Sequence, residues 1–344
     1  MRGCGTEAER RGAPLHAPRP GWQYGGMNAE ATMRAVNQDF LGGPEVLEIV
    51  ELPIPEARPN EVLVRVRASG LNPTDWAHRA RGFFLGQPPF VLGWDVSGVV
   101  EAVGRGVVRF KPGDEVFGML SYPFGHGAHA EYIAAPARVF ARKPDSIDHV
   151  QAGVLPLVSL TAWQALVENA KLEAGQRVLI HAAAGGVGHV AVQIARARGA
   201  YVIGTASEEK HDFVRALGAD EMIDYRTVRF EEAVQDVDVV LDTIGDDYSM
   251  RSLRTLRRGG IVVSISVFGS DDFYREAEER GVRAIRMLVD SSRHDMASIA
   301  ELVERGQLHA EIAAVFPLVR AADAHRLGET GRTAGKIVLD MTRA

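Results

Sequence analysis

A glycine-rich turn holds the residues of this chain whose types and spacing most clearly suggest a chemical task. Residues 182–188 read Ala-Ala-Ala-Gly-Gly-Val-Gly, after a strand-like segment and before a helical pattern. Gly185 and Gly186 allow the backbone to approach a pyrophosphate, and Gly188 allows the next helix to pack closely on its strand. The exposed N–H groups here, with Val187 among them, favour an anion. The turn is therefore predicted to bind a dinucleotide; alanine stands where the first glycine is usual, and a turn without ligand is the alternative.

The second strand of the same unit bears on which dinucleotide is bound. Enzymes that use NAD usually carry Asp or Glu ~20 residues beyond the glycine turn, where it binds the ribose hydroxyls. Here that place holds the neutral Ser207, and Lys210 follows within one helical turn. A neutral residue and a cation suit a 2′-phosphate, so NADPH is predicted. The alternatives are a ribose-binding role for Glu208 or Glu209, an N-cap role for Ser207 and a solvated surface charge at Lys210.

Alternating strand and helix patterns surround the turn and must position it. Apolar strand patterns lie at 177–181, 201–205, 222–223, 237–242, 260–266 and 282–288. Helical patterns lie between them at 190–199, 208–217 and 250–256. This alternation is typical of a doubly wound parallel sheet with right-handed crossovers.

Both flanks of this unit have a different texture. Short strand patterns punctuated by Gly and Pro occur at 33–37, 47–52 and 61–68, and they return, after a helix at 295–304, at 312–317 and 335–339. Such spacing is typical of a barrel-like β domain. The sequence thus predicts a β-rich domain from 33–155 and 290–344, with a cofactor domain at 156–289 inserted into it. Residues 1–32, rich in Gly, Pro and Arg, are expected to be a disordered extension.

Several motifs in one order make the chain resemble a known family. They are Gly-Gly-Pro-Glu-Val-Leu at 42–47, Gly-Leu-Asn-Pro-Thr-Asp-Trp at 70–76, Leu-Thr-Ala-Trp at 160–163, Ala-Gly-Gly-Val-Gly at 184–188 and Gly-Arg-Thr-Ala-Gly-Lys at 331–336. The chain resembles the medium-chain dehydrogenase/reductase superfamily, in its zinc-free quinone oxidoreductase branch, from Met33 to Leu339. The resemblance implies an α/β fold in which a Rossmann sheet is inserted into a GroES-like β-rich domain.

The resemblance also implies roles for individual residues. Asn72 would lie beside the nicotinamide and Thr161 near its carboxamide, and these two are the catalytic candidates. Lys210 and Tyr225 would hold the 2′-phosphate. The remaining cofactor-binding candidates are Ser266 and Phe268, after the fifth strand, and Lys336 in the last motif. The plainer alternatives are turn or cap roles for Asn72 and Thr161 and a half-buried strand position for Tyr225.

The residues that hold zinc in related alcohol dehydrogenases are replaced here. Asn72 stands where the resemblance places a first cysteine, and Gly-Trp-Asp at 93–95 replaces Gly-His-Glu. The sole cysteine is Cys4, so a four-cysteine zinc lobe cannot form. His126 and His129 are spaced as a ligand pair, but the sequence offers them no third partner. No metal is predicted.

Without a Lewis acid, the chemistry expected is hydride transfer from NADPH to an already electrophilic acceptor, a quinone or an α,β-unsaturated carbonyl. The alternatives are an enoyl-thioester reductase and a non-catalytic NADPH-binding protein. The net charge of −6 argues against nucleic acid as a partner, and no apolar stretch reaches the ~20 residues needed to cross a membrane. A cytoplasmic location and a homodimer of the kind common in this branch are expected.

Overall fold

The computed structural model describes residues 31–266 and 269–343. Its strands form a three-stranded sheet, a six-stranded sheet and a seven-stranded sheet. The strands are β1 Thr32–Gln38, β2 Glu48–Pro53, β3 Glu61–Leu71, β4 Phe90–Val91, β5 Asp95–Val103, β6 Glu115–Met119, β7 Tyr132–Pro136, β8 Phe140–Arg142, β9 Arg177–Ile180, β10 Tyr201–Ala206, β11 Glu221–Asp224, β12 Val237–Asp242, β13 Leu256–Ser264, β14 Arg283–Arg286, β15 Ile312–Pro317 and β16 Lys336–Asp340.

The α-helices flank these sheets. They are α1 Pro73–Arg81, α2 His149–Val154, α3 Pro156–Trp163, α4 Gly188–Ala197, α5 His211–Ala216, α6 Phe230–Ala233, α7 Asp247–Ser252, α8 Asp272–Arg280, α9 Arg293–Glu304 and α10 Ala321–Glu329. A π-helical turn, Gln164–Asn169, continues α3. Among the described residues, none of the helices is both long and apolar enough to span a bilayer.

The six-stranded sheet is wholly parallel and has the order β11-β10-β9-β12-β13-β14. Successive strands are added on one side of β9 up to β11 and on its other side from β12 onward. β9 is also the strand that leads into the glycine turn. Ligands of open parallel sheets bind in the crevice at this switch point. The sheet therefore places the turn where a dinucleotide is expected, and the predicted α/β fold class is confirmed.

The two faces of this sheet bury different cores. Val178 and Ile180 point into the main core, while Leu179 between them points into a second core with Phe230 and Phe273. The alternation follows from the two-residue period of a strand, since both faces are covered. The main core continues through α3 into the β-rich sheet, so the two parts of the molecule are packed against each other.

The seven-stranded sheet joins the two ends of the chain. β16 pairs antiparallel with β3, and Val338 lies opposite Gly70. This register brings the C-terminal segment beside the start of α1, which directly follows β3. The strands of the parallel sheet all lie within 177–286, and the other strands lie outside that span; the domain limits given above stay a prediction.

Several expected element boundaries were wrong. The helix expected at 250–256 begins at Asp247 and ends at Ser252, because Leu256 already belongs to β13 and pairs with Val237 of β12. The helix expected at 208–217 is a 3₁₀ turn followed by the shorter α5. The edge strand expected at 282–288 is restricted to β14, where it pairs with β13 over four residues.

Candidate functional site

The glycine turn is shaped by two close approaches of the backbone. A Cβ at Gly188 would lie 2.2 Å from the Ala182 carbonyl oxygen and 2.7 Å from the Ala183 Cα. Ala182 has a φ of +46°, which lets the chain turn sharply out of β9. Only a residue without Cβ lets α4 begin this close to the strand, which is the role predicted for Gly188.

The same turn leaves donors at the start of α4. Within residues 31–266 and 269–343, the N–H groups of Gly186, Val187 and Gly188 donate to no protein acceptor, whereas the Gly185 N–H is used by the Ala182 carbonyl at 2.8 Å. Unused N–H groups at a helix start form an anion site. A Cβ at Gly186 would meet no backbone atom within 4 Å, so the turn is an open cradle that fits a pyrophosphate.

A buried polar cluster adjoins this cradle. The Lys336 ammonium donates to the Leu71 carbonyl at 2.7 Å and to Asn72 Oδ1 at 2.5 Å. Asn72 Nδ2 donates to Asp95 Oδ2 at 2.9 Å, and the Asn72 backbone N–H donates to Asp75 Oδ2 at 2.7 Å. All four polar side chains are almost wholly buried. Charges this deep must be paired, and the cluster joins α1, β5 and β16 through such pairing.

The titration of this cluster follows from its burial. Desolvation raises the pKa of Asp75 to about 7, against the opposing effect of the Asn72 N–H. Burial also raises the pKa of Asp95, which Lys336 opposes, and lowers the pKa of Lys336, which both carboxylates oppose. The cluster is thus held by mutual neutralisation rather than by solvent.

The structure places Lys336 differently from a simple phosphate-binding lysine. Its Cδ lies 3.3 Å from the position of a Cβ on Gly186, so the aliphatic stem packs on the cradle while the ammonium points into the cluster. Gly335 N–H donates to the Ala184 carbonyl at 3.1 Å, which fixes the C-terminal segment against the turn. Lys336 is therefore suited to shape the cofactor cradle through its stem.

Thr161 and Asn72 are the two candidates for contact with the reacting ring. The Thr161 hydroxyl donates to the Leu157 carbonyl at 2.7 Å, which leaves it only acceptor capacity. An acceptor there suits the amide donors of a carboxamide. Both polar atoms of the Asn72 side chain are already bonded within the cluster. Asn72 has no free side-chain polar group to offer a ligand, so it is better suited to hold the wall of the site in place.

The candidates for the 2′-phosphate meet at one edge of the parallel sheet. β10 and β11 pair through Ala206 and Asp224, so the next residues, Ser207 and Tyr225, lie at adjacent strand ends. Ser207 is buried, and Tyr225 is 46% exposed. The Lys210 ammonium donates to the Arg332 carbonyl at 3.0 Å, which ties it to the C-terminal segment. The structure thus brings all three to the rim beside the glycine turn.

Sequence reasoning missed a charged pair at this rim. Arg226 pairs with Glu209 at 3.1 Å and lies over the Tyr225 ring, 5.9 Å from its centroid. A hydrogen bond from Ser207 lowers the pKa of Glu209, and Arg226 acts in the same direction. Here a carboxylate is held by one hydroxyl and one guanidinium, a donor set that also suits a phosphate. The adjacency of Tyr225 and Arg226 after a strand was the signal in the sequence.

Ser266 follows β13, at the edge expected for the nicotinamide. A Cβ at Gly245 would lie 2.6 Å from its side chain, so the loops after β12 and β13 are in close contact. Asp242 holds both loops: Oδ1 accepts from the Gly245 N–H at 2.9 Å and Oδ2 from the Ser264 hydroxyl at 3.0 Å. Asp242 is a positioning residue that the sequence did not single out. Phe268 lies outside the described residues.

The residues considered above as zinc ligands, or standing at zinc-ligand positions, are His126, His129, Asn72 and Asp95. His126 Nδ1 donates to the Val91 carbonyl at 2.7 Å, and burial lowers the pKa of His129 to about 3. The Asn72 side chain bonds to Lys336 and to Asp95, as described above. In the described parts of the chain, no three His, Cys, Asp or Glu side chains are grouped as a metal would need.

Comparisons with known proteins agree with this architecture. Residues 58–145 match the family model described as alcohol dehydrogenase GroES-like domain, and residues 217–339 match that described as zinc-binding dehydrogenase. The chain is 36% identical over 320 residues to a 2-haloacrylate reductase of a Burkholderia species, covering 87% of this chain and 96% of that protein.

Two solved structures share the fold. The Escherichia coli quinone oxidoreductase complexed with NADPH is 30% identical, with a TM-score of 0.81, over 90% of this chain and all of that one. An NAD-dependent alcohol dehydrogenase is 35% identical, with a TM-score of 0.82, over the same shares of the two chains. These relatives indicate an oxidoreductase with a nicotinamide cofactor and a small-molecule substrate. The chain belongs to the medium-chain dehydrogenase/reductase superfamily, in its quinone oxidoreductase branch.

Proposed function

We propose that this chain reduces quinones or α,β-unsaturated carbonyls with NADPH and without zinc. The observation that carries the proposal is the open cradle of N–H groups at Gly186–Gly188. Beside it, Asn72 and Asp95 stand at the positions compared above with zinc ligands, and Asn72 bonds to both Asp95 and Lys336. Two of the relatives are named for electrophilic substrates: one is a quinone oxidoreductase and the other a 2-haloacrylate reductase.

The chain's residues would divide the work as follows. The nicotinamide, when bound, supplies the hydride. The N–H groups of Gly186, Val187 and Gly188 bind the pyrophosphate, and the Thr161 hydroxyl accepts from the carboxamide. The Asn72–Lys336 network keeps the wall beside the ring rigid, which favours a fixed distance between donor and acceptor carbon. The acceptor is already electrophilic, so no group has to ionise an alcohol.

The preference for NADPH rests on the rim formed by Ser207, Lys210 and Tyr225, with Arg226 as an added cation. Glu209 is the opposing feature, because a carboxylate repels a 2′-phosphate. Its charge is balanced by Arg226 at 3.1 Å, and a bound 2′-phosphate would compete for the same donors. With Glu209 balanced by Arg226, Lys210 and the Tyr225 hydroxyl remain to bind a 2′-phosphate, which favours NADPH.

Initial rates of NADPH and NADH oxidation against quinones, enones and a crotonyl thioester test this proposal. We expect a lower KM for NADPH and turnover of quinones or enones. Preference for NADH would overturn the phosphate assignment, and fastest turnover of the thioester would favour the enoyl-thioester reductase. Tight NADPH binding without turnover of any acceptor would favour the non-catalytic alternative.

The Lys210→Ala variant tests the phosphate rim directly. Loss of one exposed charge contact should raise the KM for NADPH roughly three- to tenfold, about 1 kcal/mol, and leave the KM for NADH unchanged. Lys111→Ala, at an exposed turn of the β-rich part, is the matched control and should alter neither. An equal change in both KM values would show that Lys210 does not read the phosphate.

A further inference from the structure

A chain of hydroxyl contacts runs from α1 toward the loop after β6. The Tyr122 hydroxyl lies 2.9 Å from Thr74 Oγ1, and Thr74 Oγ1 lies 3.0 Å from His78 Nδ1. Thr74 is two residues beyond Asn72, in the first turn of α1. The phenol therefore lies one hydrogen bond from the helix start that carries the catalytic candidate Asn72.

The contacts of His78 fix its tautomer. Its Nδ1 is 2.7 Å from the Thr74 carbonyl oxygen, which can only accept, so Nδ1 carries the hydrogen. Its Nε2 faces the Phe84 backbone N–H at 3.3 Å and must accept. Burial lowers the pKa of His78, which keeps the ring neutral. A neutral His78 thus presents an N–H to Thr74, and the Thr74 hydroxyl hydrogen is left to donate to Tyr122.

The surroundings of Tyr122 keep its own proton in place. Its ring makes edge contacts with Trp94 and Phe84, with centroids 5.3 and 6.2 Å away. Burial raises its pKa, and the charge of Asp75 adds to the effect, so the phenol stays protonated at neutral pH. Either hydroxyl of this pair can donate; in the arrangement in which Thr74 donates, the phenolic O–H has no protein acceptor among the described residues and can donate to a substrate. A half-buried phenol with a free O–H is suited to donate a proton.

The position of this phenol agrees with the site. Trp94 is adjacent in sequence to Asp95 of the buried cluster and packs on Tyr122, so the cluster and the phenol share one wall. Phe83, 41% exposed, extends the same aromatic surface through a contact with Phe84 at 4.9 Å. A flat conjugated acceptor fits a surface of this kind.

We propose that Tyr122 is the proton donor for the reduced acceptor, with Thr74 and His78 as positioning residues. The inference rests on the proposed function. A hydride adds to the β-carbon of an enone, and the π electrons of the C=C bond move to form an enolate. The Tyr122 O–H bond then breaks and its proton is delivered to the α-carbon. The resulting tyrosinate accepts a hydrogen bond from the Thr74 hydroxyl and regains a proton from water.

The experiment uses an enone with a methyl group on its α-carbon, reduced by NADPH in D₂O. The wild-type protein should deliver solvent deuterium to one face of that carbon, and Tyr122→Phe should give both faces, because water would protonate the released enolate. The variant's kcat for the enone should fall about 10²-fold, within the range of general acid catalysis. Its kcat for a quinone should change less than about threefold, since the reduced quinone takes a proton from water without help.

Three further variants sharpen the test. Thr74→Val retains the phenol but removes its donor, so it should lower the enone kcat less than Tyr122→Phe does, and Thr74→Ser should restore it. Tyr132→Phe is the matched control, because Tyr132 packs in a separate core near β1, and it should leave both acceptors unaffected.

The outcomes separate this inference from the proposed function. Single-face delivery by Tyr122→Phe at an unchanged enone rate would overturn the inference while the reductase activity stands. An equal loss with enone and quinone would also overturn it, because that result means Tyr122 only packs against the substrate. Failure of the wild type to reduce either acceptor would overturn the proposed function itself.

Discussion

Replacing Lys336 with methionine tests the buried cluster most sharply. Methionine keeps the stem that packs on Gly186 but removes the ammonium. Two acceptors, the Leu71 carbonyl and Asn72 Oδ1, lose bonds of 2.7 and 2.5 Å, and Asp95, 3.9 Å away, loses its countercharge. Breaking a buried pair from one side costs about 3–5 kcal/mol. We expect Lys336→Met to lose about that much free energy of unfolding.

The pH dependence of this loss has a definite sign. A carboxyl group whose folded pKa is raised, as that of Asp75 is to about 7, contributes stability at low pH that is lost as the pH rises through the folded value. Removing Lys336 takes away an effect that lowers this pKa. The deficit of Lys336→Met relative to wild type should therefore shrink as the pH falls from 8 to 5.

Urea denaturation of four proteins measures the effect: wild type, Lys336→Met, Asp95→Asn and the double variant. The double variant lacks both the ammonium and the Asp95 carboxylate, so it should be more stable than the sum of the single losses by about 1–3 kcal/mol. Lys111→Met serves as an exposed control and should change stability by less than about 0.5 kcal/mol. Strict additivity of the two single losses, or a deficit that does not depend on pH, would refute the charge pairing inferred here.

Two other predictions concern the glycine turn and the buried His129. Gly188→Ala should lower the unfolding free energy by about 1–3 kcal/mol and raise the KM for NADPH, because its Cβ would lie 2.2 Å from the Ala182 carbonyl oxygen. Thermal melts and initial rates measure the two effects. A variant with wild-type stability and KM would contradict this prediction. Burial lowers the pKa of His129 to about 3, so its contribution to stability is present above about 6.5 and is lost toward about 3, by about 1.4 kcal/mol per pH unit. His129→Gln should flatten the measured stability curve over that window, and an unchanged slope would contradict the assignment.

Local patterns predicted the parallel sheet well. The glycine turn and the strand patterns at 201–205 and 237–242 needed only the alternation of apolar residues and short connections. Helix 250–256 was placed wrongly because Leu256 pairs with Val237 in the parallel sheet, and such pairings depend on the three-dimensional neighbours. Apolar periodicity carries no information about them.

The cluster around Lys336 could not be derived from spacing. Lys336 and Asn72 lie 264 residues apart and meet because β16 pairs with β3. The family motifs named both residues, but the direction of the ammonium follows only from the antiparallel register. The contact between Tyr122 and Thr74 depends likewise on how the loop after β6 returns to α1. The hydrogen bonds of these residues therefore could not be derived from the sequence pattern.

The most direct test of the account follows the hydride itself. The protein would be freed of metal by chelation and dialysis, and an enone would be reduced with NADPH deuterated at the transferring position. We expect an undiminished rate and one cofactor deuterium on the β-carbon of the product. Activity that disappears on chelation and returns with zinc, or a product without cofactor deuterium, would contradict zinc-free hydride transfer.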